Sequence, residues 1–188
     1  MTYDRLTLCT ITGAALAVAI ISFQLLEAKY AAVSCLLGWT MLAIAVSDAT
    51  RYIIPDALSL PSIPIGLLAT HLLDGSERNP PLVLEHLGAA LLGAALLYGV
   101  RAAYFHYRHR EGLGLGDVKL AAVAGAWTGI QGMSNVLLLA CMAAIASVVL
   151  ISLWQRRALT KETALPFGVF LAPAIWVIWC SAAISGTL

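Results

Sequence analysis

The sequence predicts an all-α fold, a polytopic bundle of six to seven transmembrane helices that forms one integral membrane domain over residues 1–188. Hydrophobic residues make up 61% of the chain and charged residues 11%, and the mean hydropathy is +0.88. A soluble domain of this size needs more polar surface than that. The net charge of +1 produces no large basic field, so we expect the lipid bilayer as a partner and no nucleic acid.

Apolar runs of about 20 residues, the length that crosses a bilayer as a helix, place the predicted segments. Five are clear: Leu6–Leu26, Tyr30–Ser47, His86–Phe105, Asn135–Trp154 and Leu165–Ile184. Two are weaker, because Ala57–Leu73 contains two prolines and Val118–Ile130 is short and rich in Ala and Gly. Membrane helices tolerate such features where neighbouring helices cover the backbone. The first run is too long for a secretory signal, whose apolar core has about 7–15 residues.

The distribution of Lys and Arg predicts the orientation of these segments. If seven segments alternate and the first residue is inside, only Lys29 and Arg78 of the eleven basic residues lie outside. The predicted connection Asp74–Glu85 is then external. Asp48, at the exit of the second segment, and Asp117, at the entry of the fifth, both fall at the cytoplasmic boundary. Merging or losing one weak segment would reverse everything downstream of it.

These two aspartates are the candidate functional residues. A carboxylate beside a membrane-length segment is costly to desolvate, so it is by default a candidate functional site that needs a partner. Two carboxylates brought close together share a proton. The ionised group can then take a proton from an attacking water, while the protonated one donates to the scissile carbonyl oxygen and later to the leaving amine. This chemistry requires no metal and no cofactor.

Each motif around the aspartates also has a plain structural interpretation. Glycines at 112, 114 and 116 leave a backbone that can approach a substrate peptide closely. The same loop could simply feed a helix whose N-terminus Asp117 caps, and a G-x-G pattern alone is a weak signal. Asp56, which follows Pro55 before an apolar run, has the position of a helix start, so capping is its favoured role.

Cysteine and histidine spacing predicts neither a metal site nor a disulfide framework. The four cysteines lie singly in apolar stretches, and none forms a C-x-x-C pair. The four histidines have no acidic partner at metal-ligand spacing. We therefore expect the cysteines to behave as small hydrophobic residues.

The ordered combination of three motifs resembles the type IV prepilin peptidase family, whose members are membrane aspartic proteases of the G-x-G-D type. The motifs are Asp48 with Ile54-Pro55-Asp56, then Gly114-Leu115-Gly116-Asp117-Val118-Lys119, then Leu165-Pro166-Phe167-Gly168. The resemblance extends from about Gly38 to Pro173. It implies that Asp48 and Asp117 are the catalytic pair. It also matches Gly114, Gly116 and Lys119 to the G-x-G-D motif, and Pro166, Phe167 and Gly168 to the late P-F-G element.

The resemblance further implies a substrate and a setting. The substrate would be a prepilin or pseudopilin precursor with a short basic leader, cleaved at the cytoplasmic face of the inner membrane, with pilus or secretion assembly machinery as a partner. Longer members carry a cytoplasmic region with paired C-x-x-C cysteines that is linked with N-methylation. This sequence has neither and resembles the short Flp/Tad-type form, so methyltransferase activity is not expected.

Two other functions fit part of the pattern. A small transporter could bind a proton or cation at Asp48 and Asp117, but the sequence shows no internal repeat, which transporters commonly have. Another G-x-G-D intramembrane protease, similar to presenilin or signal peptide peptidase, is the second alternative. Lys119 and the Ile54-Pro55-Asp56 element favour the prepilin peptidase instead. Acidic groups at Asp56, Glu111 and Glu162 could meet a basic leader or could be solvated loop charges.

Overall fold

The computed structural model describes residues 5–73, 80–110, 112–155 and 166–186, and these residues form six α-helices and no strand. The helices are α1 (Arg5–Leu25), α2 (Ala28–Arg51), α3 (Asp56–Leu73), α4 (Pro80–Arg108), α5 (Leu115–Gln155) and α6 (Gly168–Ser185). All six are long and apolar enough to cross a bilayer. The predicted all-α transmembrane bundle is confirmed, and the chain is a multi-pass membrane protein.

The predicted segments Val118–Ile130 and Asn135–Trp154 both lie within α5, which has 41 residues. A straight helix of that length would reach about 60 Å, twice the thickness of a bilayer core. The helix is interrupted at Gly129, whose φ of 65° and ψ of −172° are not helical. A positive φ is readily adopted only by glycine, so this residue permits a break that another side chain would oppose.

Contacts of α4 show that the chain reverses direction at this break. A Cβ placed on Gly93 would lie 2.8 Å from the carbonyl oxygen of Ala121 and 2.6 Å from Sδ of Met133. In a straight helix these two residues would be about 18 Å apart along the axis. One glycine can touch both only if the part after Gly129 folds back along the part before it.

Small residues let α4 and the first part of α5 pack closely, as the composition of both segments suggests. A Cβ on Gly125 would collide with the backbone of Ala89 and Ala90. At the opposite face of this part of α5, Trp127 donates from Nε1 to the carbonyl oxygen of Ser62 at 2.8 Å. Its indole covers Gly66 in the proline-containing helix α3, whose Pro61 and Pro64 lie on the exposed side.

A buried polar network attaches α1 to the rest of the bundle. The hydroxyls of Ser22 in α1 and Ser34 in α2 lie 2.8 Å apart. Trp176 in α6 donates from Nε1 to Ser34 Oγ at 3.0 Å. Hydrogen bonds of this kind hold helices together in lipid, where apolar contact between helices alone provides little driving force.

The helix ends fall into two groups at opposite ends of the bundle. One end contains the C-termini of α2 and α4 and the N-termini of α3, α5 and α6, and we call it the aspartate end. At the other end, His86 near the start of α4 approaches the carbonyl oxygen of Ala126 at 3.0 Å and the hydroxyl of Thr70 at 3.4 Å. Of the predicted external connection Asp74–Glu85, residues 74–79 lie outside the described residues, and residues 80–85 belong to α4.

Candidate active site

Asp48 lies in the last turn of α2 and is only 5% exposed. Its Oδ2 accepts the backbone N–H of Val169 at 3.1 Å, and the N–H of Gly168 also donates to this carboxyl group. Both donors belong to the first turn of α6, where N–H groups have no partner within the helix and favour an anion. The expectation that Asp48 follows the second segment is wrong, because the helix continues through Asp48 to Arg51.

The P-F-G element forms the start of α6 and leaves room for Asp48. The carbonyl oxygen of Pro166 accepts the N–H of Val169 at 3.3 Å, and Phe167 occupies the N-cap position. A Cβ on Gly168 would lie 2.8 Å from Asp48 Oδ2. Only glycine lets the carboxyl group approach the amides this closely, so the late motif and Asp48 form one unit although they are distant in sequence.

Asp117 is the third residue of α5 and is 8% exposed. Its Oδ2 accepts the N–H of Gly114, which directly precedes the helix, at 3.3 Å. A side chain at this position that reaches back to the residue before the helix forms half of a capping box. The capping interpretation and the catalytic one are therefore compatible, because the cap uses one carboxyl oxygen of Asp117.

The fold brings the two predicted catalytic aspartates together. Their carboxyl groups are close enough to interact electrostatically. Ile54 packs beside both: a Cβ on Gly116 would lie 2.8 Å from Cβ of Ile54, and one on Gly168 would lie 2.9 Å from its Cδ1. The side chain of Ile54 therefore fills the space that these two glycines leave open. The sequence places Ile54 in a motif but indicates no role for it.

Asp56 and Lys119 form an ion pair next to the aspartates, with Lys119 Nζ 2.5 Å from Asp56 Oδ1. The predicted capping role of Asp56 is wrong, because Asp56 is already the first residue of α3 and its carboxylate bonds to Lys119 in α5. The carbonyl of the preceding Pro55 accepts the N–H groups of Leu58 and Ser59. The two side chains are 60% and 32% exposed, so the pair lies at the surface and links the start of α3 to the first turn of α5.

The loop before Asp117 rests on the end of α4. Arg101 donates from Nη1 to the carbonyl oxygen of Leu113 at 2.8 Å. The ring of Tyr104 covers Gly112, where a Cβ would lie 2.5 Å from Cδ1 of the ring. Sequence reasoning assigns neither residue to the site. Glu111 and Glu162, for which a contact with a basic leader and a solvated loop charge were both open, lie outside the described residues.

The hydrogen-bond partners described for Asp48 and Asp117 are backbone amides. Among the described residues, no group of three or more His, Cys, Asp or Glu side chains is arranged to hold a metal ion. What the arrangement can do is hold two carboxyl groups near one another in a largely buried position. Such a pair can share one proton and act on water from two sides.

Six membrane-length helices and two buried, neighbouring aspartates define a multi-pass membrane protein with a carboxylate-pair site. The chain belongs to the type IV leader peptidase family, whose model matches residues 35–150.

Individual relatives agree with the family assignment. The chain is 34% identical over 143 residues to the prepilin leader peptidase/N-methyltransferase of Pseudomonas aeruginosa, covering 76% of this chain and 47% of the relative. It is 35% identical over 136 residues to the protein of that name from Escherichia coli K12, covering 70% and 55%. Leader peptidase HopD of Escherichia coli is 32% identical over 139 residues, covering 74% and 86%.

The chain thus spans about half the length of the two peptidase/methyltransferase relatives. No solved structure matches it significantly.

Proposed function

We propose that this chain is a membrane aspartic endopeptidase that removes the short basic leader from prepilin or pseudopilin precursors. The observation that carries the proposal is the meeting of Asp48 and Asp117, which belong to different helices and are both largely buried at one end of a membrane bundle. Membership of the type IV leader peptidase family supports the substrate class. The names of the relatives, which include leader peptidases, agree with it.

In the proposed mechanism a water molecule lies between the two carboxyl groups, which together hold one proton. The ionised carboxylate removes a proton from the water as it attacks the scissile carbonyl carbon. The protonated carboxyl group donates to the carbonyl oxygen, and a proton then passes to the leaving amine. Gly114 is exposed and has no side chain beside Asp117, so an extended peptide can approach this carboxyl group from the loop side.

The proposed location of the site is the cytoplasmic face of the inner membrane. Basic residues at the aspartate end support this orientation, since Arg51, Arg101, Arg108 and Lys119 all lie in helix turns at that end. The precursor would then have its leader in the cytoplasm and its apolar helix in the bilayer, which puts the scissile bond at the depth of the aspartates. The machinery that assembles the pilus or secretion filament is the proposed partner that uses the product.

Cysteine-accessibility labelling tests the orientation. A cysteine at Arg108, in the last turn of α4, should react only with reagents that reach the cytoplasm, and one at Gln131, beside the reversal in α5, only with reagents outside. A variant without the four native cysteines is the background. The opposite pattern of reactivity would contradict the proposed location of the active site.

The activity itself can be tested with purified protein and pilin-like precursors in detergent or liposomes, followed by mass spectrometry of the product. We expect loss of the leader and an unmethylated new N-terminus, because the chain has no C-x-x-C pair of the kind linked with methylation. Methylation that depends on this chain and on a methyl donor would contradict the second expectation. Intact precursors together with measurable ion flux in liposomes would favour the transporter alternative, in which the same aspartates bind a proton or cation.

A further inference from the structure

A single peptide unit connects Arg101 to Asp117. The carbonyl oxygen of Leu113 accepts a hydrogen bond from Arg101 Nη1 at 2.8 Å. The N–H of Gly114 donates to Asp117 Oδ2 at 3.3 Å. The carbonyl of residue 113 and the N–H of residue 114 belong to the same peptide bond. Arg101 therefore binds the oxygen of this peptide, and the N–H of the same peptide binds the Asp117 carboxyl group.

The geometry of the peptide makes this connection effective. The peptide is planar, with its oxygen and its N–H on opposite sides, so fixing the oxygen also fixes the direction in which the N–H points. A hydrogen bond from a charged guanidinium is stronger than one between neutral groups. It also polarises the peptide, which makes the N–H a better donor.

The glycine-rich sequence of the loop does not by itself favour one orientation of this peptide. Gly112 and Gly114 are exposed, and residues 112–114 precede α5 and are not helical. Glycine has the largest conformational freedom of any residue, so a free loop of this composition would sample many orientations. Tyr104 contacts the loop at Gly112 one helical turn beyond Arg101, which gives the loop a second attachment to α4. Helix α4 is itself fixed by its close packing on α5 at Gly93 and Gly125.

We propose that Arg101 is a positioning residue, which orients the Leu113–Gly114 peptide so that the Gly114 N–H holds the carboxyl group of Asp117 in its reactive position. Arg101 acts through the peptide and does not itself contact the substrate. The inference rests on the proposed peptidase function. It explains why a half-buried arginine lies beside a glycine loop at the end of a membrane helix.

The test compares Arg101→Gln and Arg101→Lys with the wild-type chain and with a matched control. The control is Arg108→Gln, which removes the same charge from an exposed residue two turns further along α4. Cleavage of one pilin-like precursor in detergent is measured as kcat and KM for each purified variant, and thermal unfolding confirms that each is folded.

We expect Arg101→Gln to lower kcat on the order of 10- to 100-fold, because a small misplacement of a reacting group has an effect of that size. KM should change by less than about 2-fold, since ground-state binding does not depend on this carboxyl orientation. The lysine ammonium keeps the charge and can donate a charge-assisted hydrogen bond to the single Leu113 carbonyl, so Arg101→Lys should recover most of the lost kcat. Arg108→Gln should match the wild-type chain.

Each of the other possible results contradicts either the role proposed for Arg101 or the peptidase function itself. Equal kcat for Arg101→Gln and Arg108→Gln would overturn the inference while leaving the peptidase function intact. A change confined to KM would place Arg101 in substrate binding, and an Arg101→Gln chain that does not fold would make it a structural residue, so both would also overturn it. If the wild-type chain itself cleaves no precursor, the proposed function fails first.

Discussion

The two aspartates of the site are held in opposite ways. Asp48 accepts hydrogen bonds from the start of α6, and its partner Val169 is 121 positions away in sequence. Asp117 accepts one from Gly114, three positions before it. One carboxyl group therefore depends on the packing of distant helices, and the other on a short loop supported from outside by the end of α4.

This difference affects how each half of the site can fail. Helices α2 and α6, which hold Asp48, are joined by packing along their length and by the partly buried hydrogen bond from Trp176 to Ser34. The loop that holds Asp117 is exposed at Gly112 and Gly114 and contacts α4 at Arg101 and Tyr104. Damage at Asp48 should follow from crowding within the core, whereas damage at Asp117 should follow from release of the loop.

The largest effect is expected when either aspartate itself is replaced. Asp48→Asn and Asp117→Asn should each lower cleavage by a factor on the order of 10²–10⁴ or more, because an amide can neither accept nor give the proton that hydrolysis needs. The double variant should be no worse than the single variants, since the two groups act as one unit. Purified variants in a precursor-cleavage assay give the result, with unfolding temperature as the control. Near-normal processing by either single variant would refute the catalytic pair.

The transmembrane helices were predictable because length and apolar composition specify a spanning helix without tertiary information. The capping role of Asp117 could also be predicted from the sequence, since the cap is formed within four residues. The contact between Asp48 and the P-F-G element was not predicted: the family resemblance named both as motifs, but no local pattern links residues 121 positions apart.

Other features had no usable sequence signal. Gly129 is one of 15 glycines, and composition does not show which of them reverses a helix. Arg101 was counted as one of the basic residues that set the orientation, and Ile54 was read as part of a motif. Their roles depend on which backbone atoms they meet after folding, namely the Leu113 carbonyl and the two glycines at 116 and 168.

The next effect in size compares crowding at the two aspartates. A Cβ on Gly168 would lie 2.8 Å from Asp48 Oδ2, whereas a Cβ on Gly114 would lie 3.4 Å from Asp117 Oδ2, close to an ordinary contact. Gly168→Ala should therefore displace the carboxyl group and reduce kcat on the order of 10- to 100-fold. Gly114→Ala should reduce it by only a few-fold. Gly116→Ala, whose Cβ would meet Ile54 Cβ at 2.8 Å, should fall between them.

Cleavage kinetics and thermal unfolding of the three alanine variants test this order. A Gly114→Ala chain that is as stable as the wild type but as inactive as Gly168→Ala would show that Gly114 faces the substrate, and steric crowding of the carboxyl group would then not be the cause. If Gly168→Ala cleaves normally, the close approach of α6 to Asp48 is not needed for activity.

The smallest expected effect concerns the ion pair between Asp56 and Lys119, which joins α3 to the Asp117 half of the site. Because both side chains are partly exposed, at 60% and 32%, the pair should contribute no more than about 1 kcal/mol to stability. Asp56→Asn and Lys119→Gln should each reduce the free energy of unfolding by that amount or less, and cleavage by a few-fold at most. The double variant should resemble each single one, since either change already removes the interaction.

A double-mutant cycle that combines denaturant unfolding with cleavage rates measures both quantities. Loss of cleavage by Lys119→Gln as complete as that of Asp117→Asn, in a chain of normal stability, would instead place the Lys119 ammonium among the groups that contact the substrate.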